Sequence, residues 1–203
     1  MAYKYDVFLS YKSDFPFGDW VHECLLPFFR PYVENALNRR FDLFLDRTGI
    51  ASGDSWPQRL LEALSLSRCV VAVWSPFYFR SDWCRRECEL MLHRERQLGM
   101  RSLANPSGLV LPICLFDGDH FPETAKEIQH LDCRKYFVVG DGFKKTELYV
   151  EFQQVIARWA EDVAAAIHRA PPWRREWSSS KWHKEASVDL RPRRGEFSFS
   201  GLE

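Results

Sequence analysis

One carboxylate in this chain is placed where it could do chemistry. Trp83, Glu87, Leu90 and Met91 fall at i, i+4, i+7 and i+8, which is one face of a helix. Glu87 therefore sits inside an apolar stripe, one turn from a tryptophan. A buried carboxylate without a partner is costly, so it has either a salt bridge or a job. The plainer reading is an ion pair with Arg85, Arg86 or Arg94 on a solvated face, and it stands beside the chemical one.

Other reactive groups are less well supported. Cys84 lies near Glu87, but no histidine is spaced to activate it as a nucleophile. Cys84, Cys88 and His93 lack the second ligand pair of a zinc site, so no metal is expected. Neither G-x-G-x-x-G nor G-x-x-x-x-G-K occurs, which argues against a Rossmann cofactor or a P-loop.

Bulk composition narrows the partners. The chain is 46% apolar and 28% charged, as in a globular protein. Its 28 Lys+Arg balance its 28 Asp+Glu, so no overall field selects nucleic acid or an anionic membrane. No apolar run approaches the ~20 residues of a membrane span. The N-terminus, MAYKYDVFLSYKSD, has no cleavable signal. The six cysteines (24, 69, 84, 88, 114, 133) are then expected as reduced thiols in a cytoplasmic protein, with no membrane or direct nucleic-acid partner.

Elements that would position Glu87 follow from hydrophobic period. Tyr5 to Tyr11 reads as a strand, then Lys12 to Gly18 as a polar loop. Asp19 could cap a helix through Val33, which Pro27 and Pro31 would kink or delay. Phe41 to Leu45 is a second strand, and the loop 46–56 leads to a helix with Pro57 at its first position. Cys69 to Trp74 is a buried strand stopped by Ser75-Pro76, and Ser81 caps the Glu87 helix with Asp82 in its first turn. Leu109 to Phe116 is a fourth strand whose Pro112 suits an edge or bulge. A short helix over Glu123 to Leu131, a weaker strand over Cys133 to Val139 and a helix over Glu147 to His168 complete the pattern. Val150, Val155, Trp159, Val163 and Ile167 are the buried candidates of that last helix.

Strands alternating with helices predict an α/β fold: a flavodoxin-like five-stranded parallel sheet, order 2-1-3-4-5, with helices on both faces. Such sheets bind ligands beyond the carboxyl ends of the first and third strands. The crevice would be lined by loops 12–18, 46–56 and 76–83, with Glu87 in its wall. Residues 1–169 form the expected domain. Residues 170–203, rich in Trp and Arg and without a sustained period, read as a tail or linker. Trp173, Trp177 and Trp182 argue that it packs on this domain or on a neighbouring chain.

These residues resemble the Toll/interleukin receptor homology (TIR) domain. YDVFLSYKSD at 5–14 is similar to its first box, FLDRTGIASGDSW at 44–56 to its second strand and BB loop, and SPFYFRSDWCRRECE at 75–89 to the segment carrying W-C-x-x-E. The resemblance covers about residues 4–169. Some members of the family are scaffolds that assemble through the BB loop. Others, including bacterial ones, cleave NAD+. On the NAD-cleaving pattern the catalytic glutamate falls on Glu87, the preceding tryptophan on Trp83 and the box-one basic residue on Lys12. A second basic position, present in some members, is Ser13. The substrate-stacking aromatic falls on Trp56, or on Ser55 with a one-residue shift. Asp46 either braces the BB loop or touches substrate.

The resemblance implies an NAD+ hydrolase or cyclase of bacterial antiphage defence or cell-death signalling. It would have no cofactor beyond NAD+ as substrate. Self-assembly into an oligomer or filament through the BB loop would activate it, with a sensor domain or activating partner upstream. The implied chemistry is simple. The nicotinamide is already cationic and leaves neutral without a proton donor. One ionised carboxylate can stabilise the oxocarbenium-like ribose, as in glycoside hydrolysis. The alternative is a non-catalytic scaffold, which the missing base at Ser13 favours.

Overall fold

The computed structural model describes residues 2–45, 56–119, 121–185 and 189–191. Five parallel strands form one sheet in the order β2-β1-β3-β4-β5, as the strand–helix alternation predicts. β1 (Tyr5–Ser10) and β3 (Ser67–Trp74) are its centre, and every β1 residue from Asp6 and every β3 residue from Cys69 is at most 4% exposed. Burial on both faces explains why these strands are continuous apolar runs rather than alternating ones.

After β1 the helix begins earlier than Asp19. The carbonyl of Asp14 accepts the backbone N–H groups of Phe17 (2.9 Å) and Gly18 (3.2 Å), so α1 (Phe17–Trp20) starts there and Asp19 lies in its first turn. Gly18 is required, because a Cβ would collide with the Ser13 carbonyl. A π-helical turn, Val21–Leu25, then leads into α2 (Leu26–Leu37). The turn absorbs the first proline: Pro27 falls at the start of α2, where its missing donor costs little. Pro31 stays inside α2, whose Phe29 packs on Trp159 at 5.5 Å between ring centroids.

β2 is shorter than expected, Leu43–Leu45; residues 46–55, the expected BB loop, lie outside the described residues, and α3 (Trp56–Ser65) comes next. Ser75 does more than stop β3. Its hydroxyl accepts from the Tyr78 N–H at 3.1 Å and caps the short helix α4 (Pro76–Arg80). Ser81 then caps α5 (Asp82–Gln97) through the Cys84 N–H, with Asp82 in the first turn as expected.

β4 (Val110–Cys114) is internal in the sheet, yet it carries Pro112. Leu109 O accepts from Val70 N and Leu115 N donates to Trp74 O, so odd-numbered residues face β3. Pro112 therefore turns its donor-less nitrogen to the outer side, where β5 (Leu131–Asp132) pairs only from Ile113 onward. The expected fifth strand over 133–139 is thus displaced toward the N-terminus. Arg134–Tyr136 is a 3₁₀ turn instead, tied down by the Trp20 indole, which donates to Tyr136 O at 2.8 Å. The expected helix before β5 is reduced to α6 (Glu123–Lys126).

α7 (Glu147–Arg169) lies along α2 and buries Phe152, Ile156, Trp159, Val163 and Ile167. Each such side chain contributes about 1.5–3 kcal/mol of transfer free energy. Val150, an expected core residue, is 53% exposed, because the buried stripe runs from Phe152 instead.

Beyond α7 the chain folds back on α3 and α5. Tyr3 Oη donates to Pro171 O at 2.8 Å and the Trp173 indole to Ser65 O at 3.1 Å. Trp177 is fully buried, and Trp182 of α8 (Ser180–Glu185) donates its indole N–H to Gln97 Oε1 at 3.0 Å. Leu190 N donates to Glu89 Oε1 at 3.1 Å. No helix among the described residues is long and apolar enough to cross a membrane.

Candidate active site

The carboxyl ends of β1 and β3 meet at Glu87. Ser10, the last residue of β1, donates its hydroxyl to Glu87 Oε2 at 2.5 Å, and Tyr78 Oη lies 2.8 Å from Ser10 Oγ. Glu87 is 4% exposed, while Ser10 and Tyr78 are fully buried. Three elements converge here: β1 brings Ser10, the Ser75-capped α4 brings Tyr78, and α5 brings Glu87 in its second turn. The apolar stripe explains the burial, since Leu90 and Met91 are sealed in the core beside it.

The solvated-face reading of Glu87 does not hold. Arg85 pairs with Asp82, Arg86 lies 3.8 Å from Glu89, and Arg94 donates to the carbonyls of Ser67, Leu64 and Ser65. A buried carboxylate held by a hydroxyl in a low-dielectric wall can stabilise a developing positive charge more strongly than it would in water. Tyr78 remains a neutral phenol: burial first, then the neighbouring Cys88, Cys84 and Glu87, push its pKa well above the ordinary tyrosine value.

The remaining sequence candidates are distributed around this point. Lys12, two residues beyond Ser10, opens the 12–18 loop, and its ammonium pairs with Asp14 at 2.6 Å. Trp83 is one helical turn before Glu87 and packs, partly buried, against the core. Asp46 and the expected BB loop fall outside the described residues, as does the Trp56 side chain, although Trp56 begins α3. Structure therefore brings Ser10, Tyr78 and Glu87 together. It places Lys12 and Trp83 on the elements leading to them.

Ser10 and Tyr78 were not singled out by sequence reasoning. A serine at the carboxyl end of an otherwise apolar buried strand is the signal that could have found the first. The second depends on how α4 folds over β1, which has no local signature.

Two clefts lie elsewhere. One of about 430 Å³ is lined by Arg101, Gly108, Leu111, His130, Trp159 and Arg169, at the amino end of β4. Another of about 360 Å³ lies between α5 and α6, beside Arg96 and Glu127. Neither includes Glu87. Among the described residues no cluster of three or more His, Cys, Asp or Glu could hold a metal ion.

A comparison with curated proteins found no match. Among solved structures, the TIR domains of the activated Roq1 resistosome, described as directly recognizing the pathogen effector XopQ, are similar at 22% identity. That match covers 82% of this chain and 85% of the other, with a TM-score of 0.40. The family model for the TIR domain matches residues 7–146, more than half of the sequence, and the chain belongs to the TIR-domain family.

Proposed function

We propose that this TIR domain is an NAD+ glycohydrolase that cleaves the bond between nicotinamide and ribose. The observation carrying the proposal is Glu87: a 4% exposed carboxylate in W-C-x-x-E, oriented by Ser10 at the carboxyl ends of β1 and β3. Nicotinamide leaves neutral, and Glu87 stabilises the cationic ribose left behind. Water then adds to give ADP-ribose, or the ribose is captured by the adenine of the same molecule to give cyclic ADP-ribose. Lys12 meets the pyrophosphate as a point charge, and Trp83 or Trp56 stacks on a flat base. No cofactor takes part beyond NAD+ itself.

In this reading residues 1–169 are the TIR domain and 170–203 a C-terminal tail. The protein works in the cytoplasm of a bacterium, in antiphage defence or cell-death signalling. Self-assembly through the BB loop activates it in response to a sensor domain or partner.

A second reading, a non-catalytic scaffold, is favoured by one feature. Phe15 on the 12–18 loop is 75% exposed and Phe77 on α4 51%, as expected of a surface that contacts protein. The deciding experiment incubates purified full-length protein with NAD+ at high concentration and resolves nicotinamide, ADP-ribose and cyclic ADP-ribose. Consumption that disappears in folded Glu87→Ala supports the enzyme. Activity that survives the substitution moves the site elsewhere, and inactivity that persists under crowding supports the scaffold.

A further inference from the structure

We propose that Tyr78 and Ser10 are positioning residues that act on Glu87 as a two-hydroxyl donor chain. The inference rests on the NAD-cleaving reading of Glu87, which uses Ser10 only as a contact, and adds Tyr78 and the direction of the chain.

The direction of the chain follows from counting protons. A serine hydroxyl carries one hydrogen, and Ser10 gives it to Glu87 Oε2 at 2.5 Å. The 2.8 Å contact between Ser10 Oγ and Tyr78 Oη must then be donated by the tyrosine. Tyr78 O–H polarises Ser10 O–H, which in turn holds the carboxylate, each bond strengthening the next in a low-dielectric setting. Backbone geometry fixes the source of the chain, because Ser75 Oγ accepts the Tyr78 N–H at 3.1 Å and anchors α4 to the end of β3.

Packing alone does not require these hydroxyls. Alanine at position 10 and phenylalanine at 78 would fill nearly the same space, without two buried polar groups to satisfy. What the hydroxyls add is direction: they fix one carboxylate oxygen relative to β1 while α5 supplies the backbone. A charge that stabilises an oxocarbenium ion acts through distance and orientation, so the chain affects turnover more than substrate binding.

The test compares full-length wild type with Tyr78→Phe, Ser10→Ala and Ser10→Thr, the last retaining a hydroxyl, with Glu87→Gln as the inactive reference. Steady-state NAD+ cleavage is measured across pH. In parallel, carboxyl-labelled glutamate NMR follows the Glu87 signal, assigned by its loss in Glu87→Gln. The proposal expects kcat to fall about 10-fold in Tyr78→Phe and 10- to 100-fold in Ser10→Ala, the size of one lost charge-assisted hydrogen bond. KM should stay within about twofold, with partial recovery in Ser10→Thr. The acid limb of the pH–rate profile should move to higher pH in both hydroxyl deletions, because each removes a donor that favours the ionised carboxylate. Unchanged kcat and an unmoved Glu87 signal in folded Tyr78→Phe and Ser10→Ala would overturn the donor chain. A wild type that leaves NAD+ intact, with a Glu87 titration that still shifts in both variants, would overturn the NAD-cleaving reading and keep the chain.

Discussion

The Arg94 guanidinium of α5 lies 4.2 Å from the ring centroid of Trp177, in the segment that follows α7. Arg94 is fully buried, and burial lowers its pKa to about 10. It donates to the carbonyls of Leu64 and Ser65 at the end of α3 and of Ser67 at the start of β3. A cation at a helix carboxyl terminus interacts favourably with the dipole, and an indole face adds to this. One side chain thus ties the Glu87 helix to α3, and the C-terminal segment covers the joint.

Trp177→Ala should therefore cost about 3–5 kcal/mol, the range for a buried aromatic truncated in a core. The urea midpoint measures it. Val150→Ala, at an exposed site on α7, should stay within about 0.5 kcal/mol and serves as the reference. A Trp177→Ala midpoint equal to that reference would mean that the segment merely rests on the domain.

Glu95, the residue after Arg94 in α5, performs a comparable task toward β4. Nearly fully buried, it accepts the backbone N–H groups of Leu109 and Val110 at the entry to β4 and pairs with Arg101 Nε at 2.5 Å. Glu95→Ala leaves two backbone donors and a guanidinium without their carboxylate, so a loss of about 3–5 kcal/mol is expected. Glu95→Gln, which keeps one acceptor, should lose less. Equal losses in the two would show that packing, rather than acceptance, is what Glu95 supplies.

Much of this architecture was legible because its signals are local. The i, i+4, i+7 stripe of α5, the Ser81 cap and the apolar runs of β1 and β3 all lie within one element. Glu87 could be singled out for that reason. Its partners could not, since Ser10 and Tyr78 are 77 and 9 residues away in sequence and only the folded sheet brings them in. The fifth strand was misplaced for a related reason. Tyr136 and Phe137 read as strand residues, but they serve the core, Phe137 stacking on Phe17 at 5.3 Å. Their apolar character records burial and not pairing.

Alkaline pH should destabilise the fold. Burial pushes Cys24 up to about 11 and Cys69, Cys88 and Cys133 higher still, from an ordinary 9.0. These acids have raised pKa values in the folded state, so the folded chain binds more protons than the unfolded one once pH passes 9. Their stabilisation is complete below that pH and is lost as pH rises, by about 1.4 kcal/mol per pH unit for each thiol. Arg94, with its lowered pKa, works in the opposite direction above about 10 but is a single group against several. The urea midpoint should fall between pH 8.5 and 10.5, and less steeply in Cys88→Ala when each variant is compared with its own value at pH 7. A flat profile in wild type would contradict the assigned burial.

On the NAD-cleaving reading, Lys12 and Asp14 should act in opposite directions. The Lys12 ammonium pairs with Asp14 at 2.6 Å, and its side chain is 31% exposed at the opening of the crevice. A pyrophosphate arriving there competes with Asp14 for the same ammonium. Lys12→Ala should raise KM for NAD+ about 3- to 10-fold with little change in kcat, as loss of a partly solvated charge contact implies. Asp14→Asn removes the competing carboxylate and should lower KM, an effect that shrinks with added salt because the loop is open to solvent. In the double variant Lys12→Ala/Asp14→Asn the benefit of removing Asp14 should vanish, since no ammonium remains to be released. If Asp14→Asn still lowers KM when Lys12 is absent, Asp14 acts on the substrate directly and the Lys12 phosphate contact loses its support.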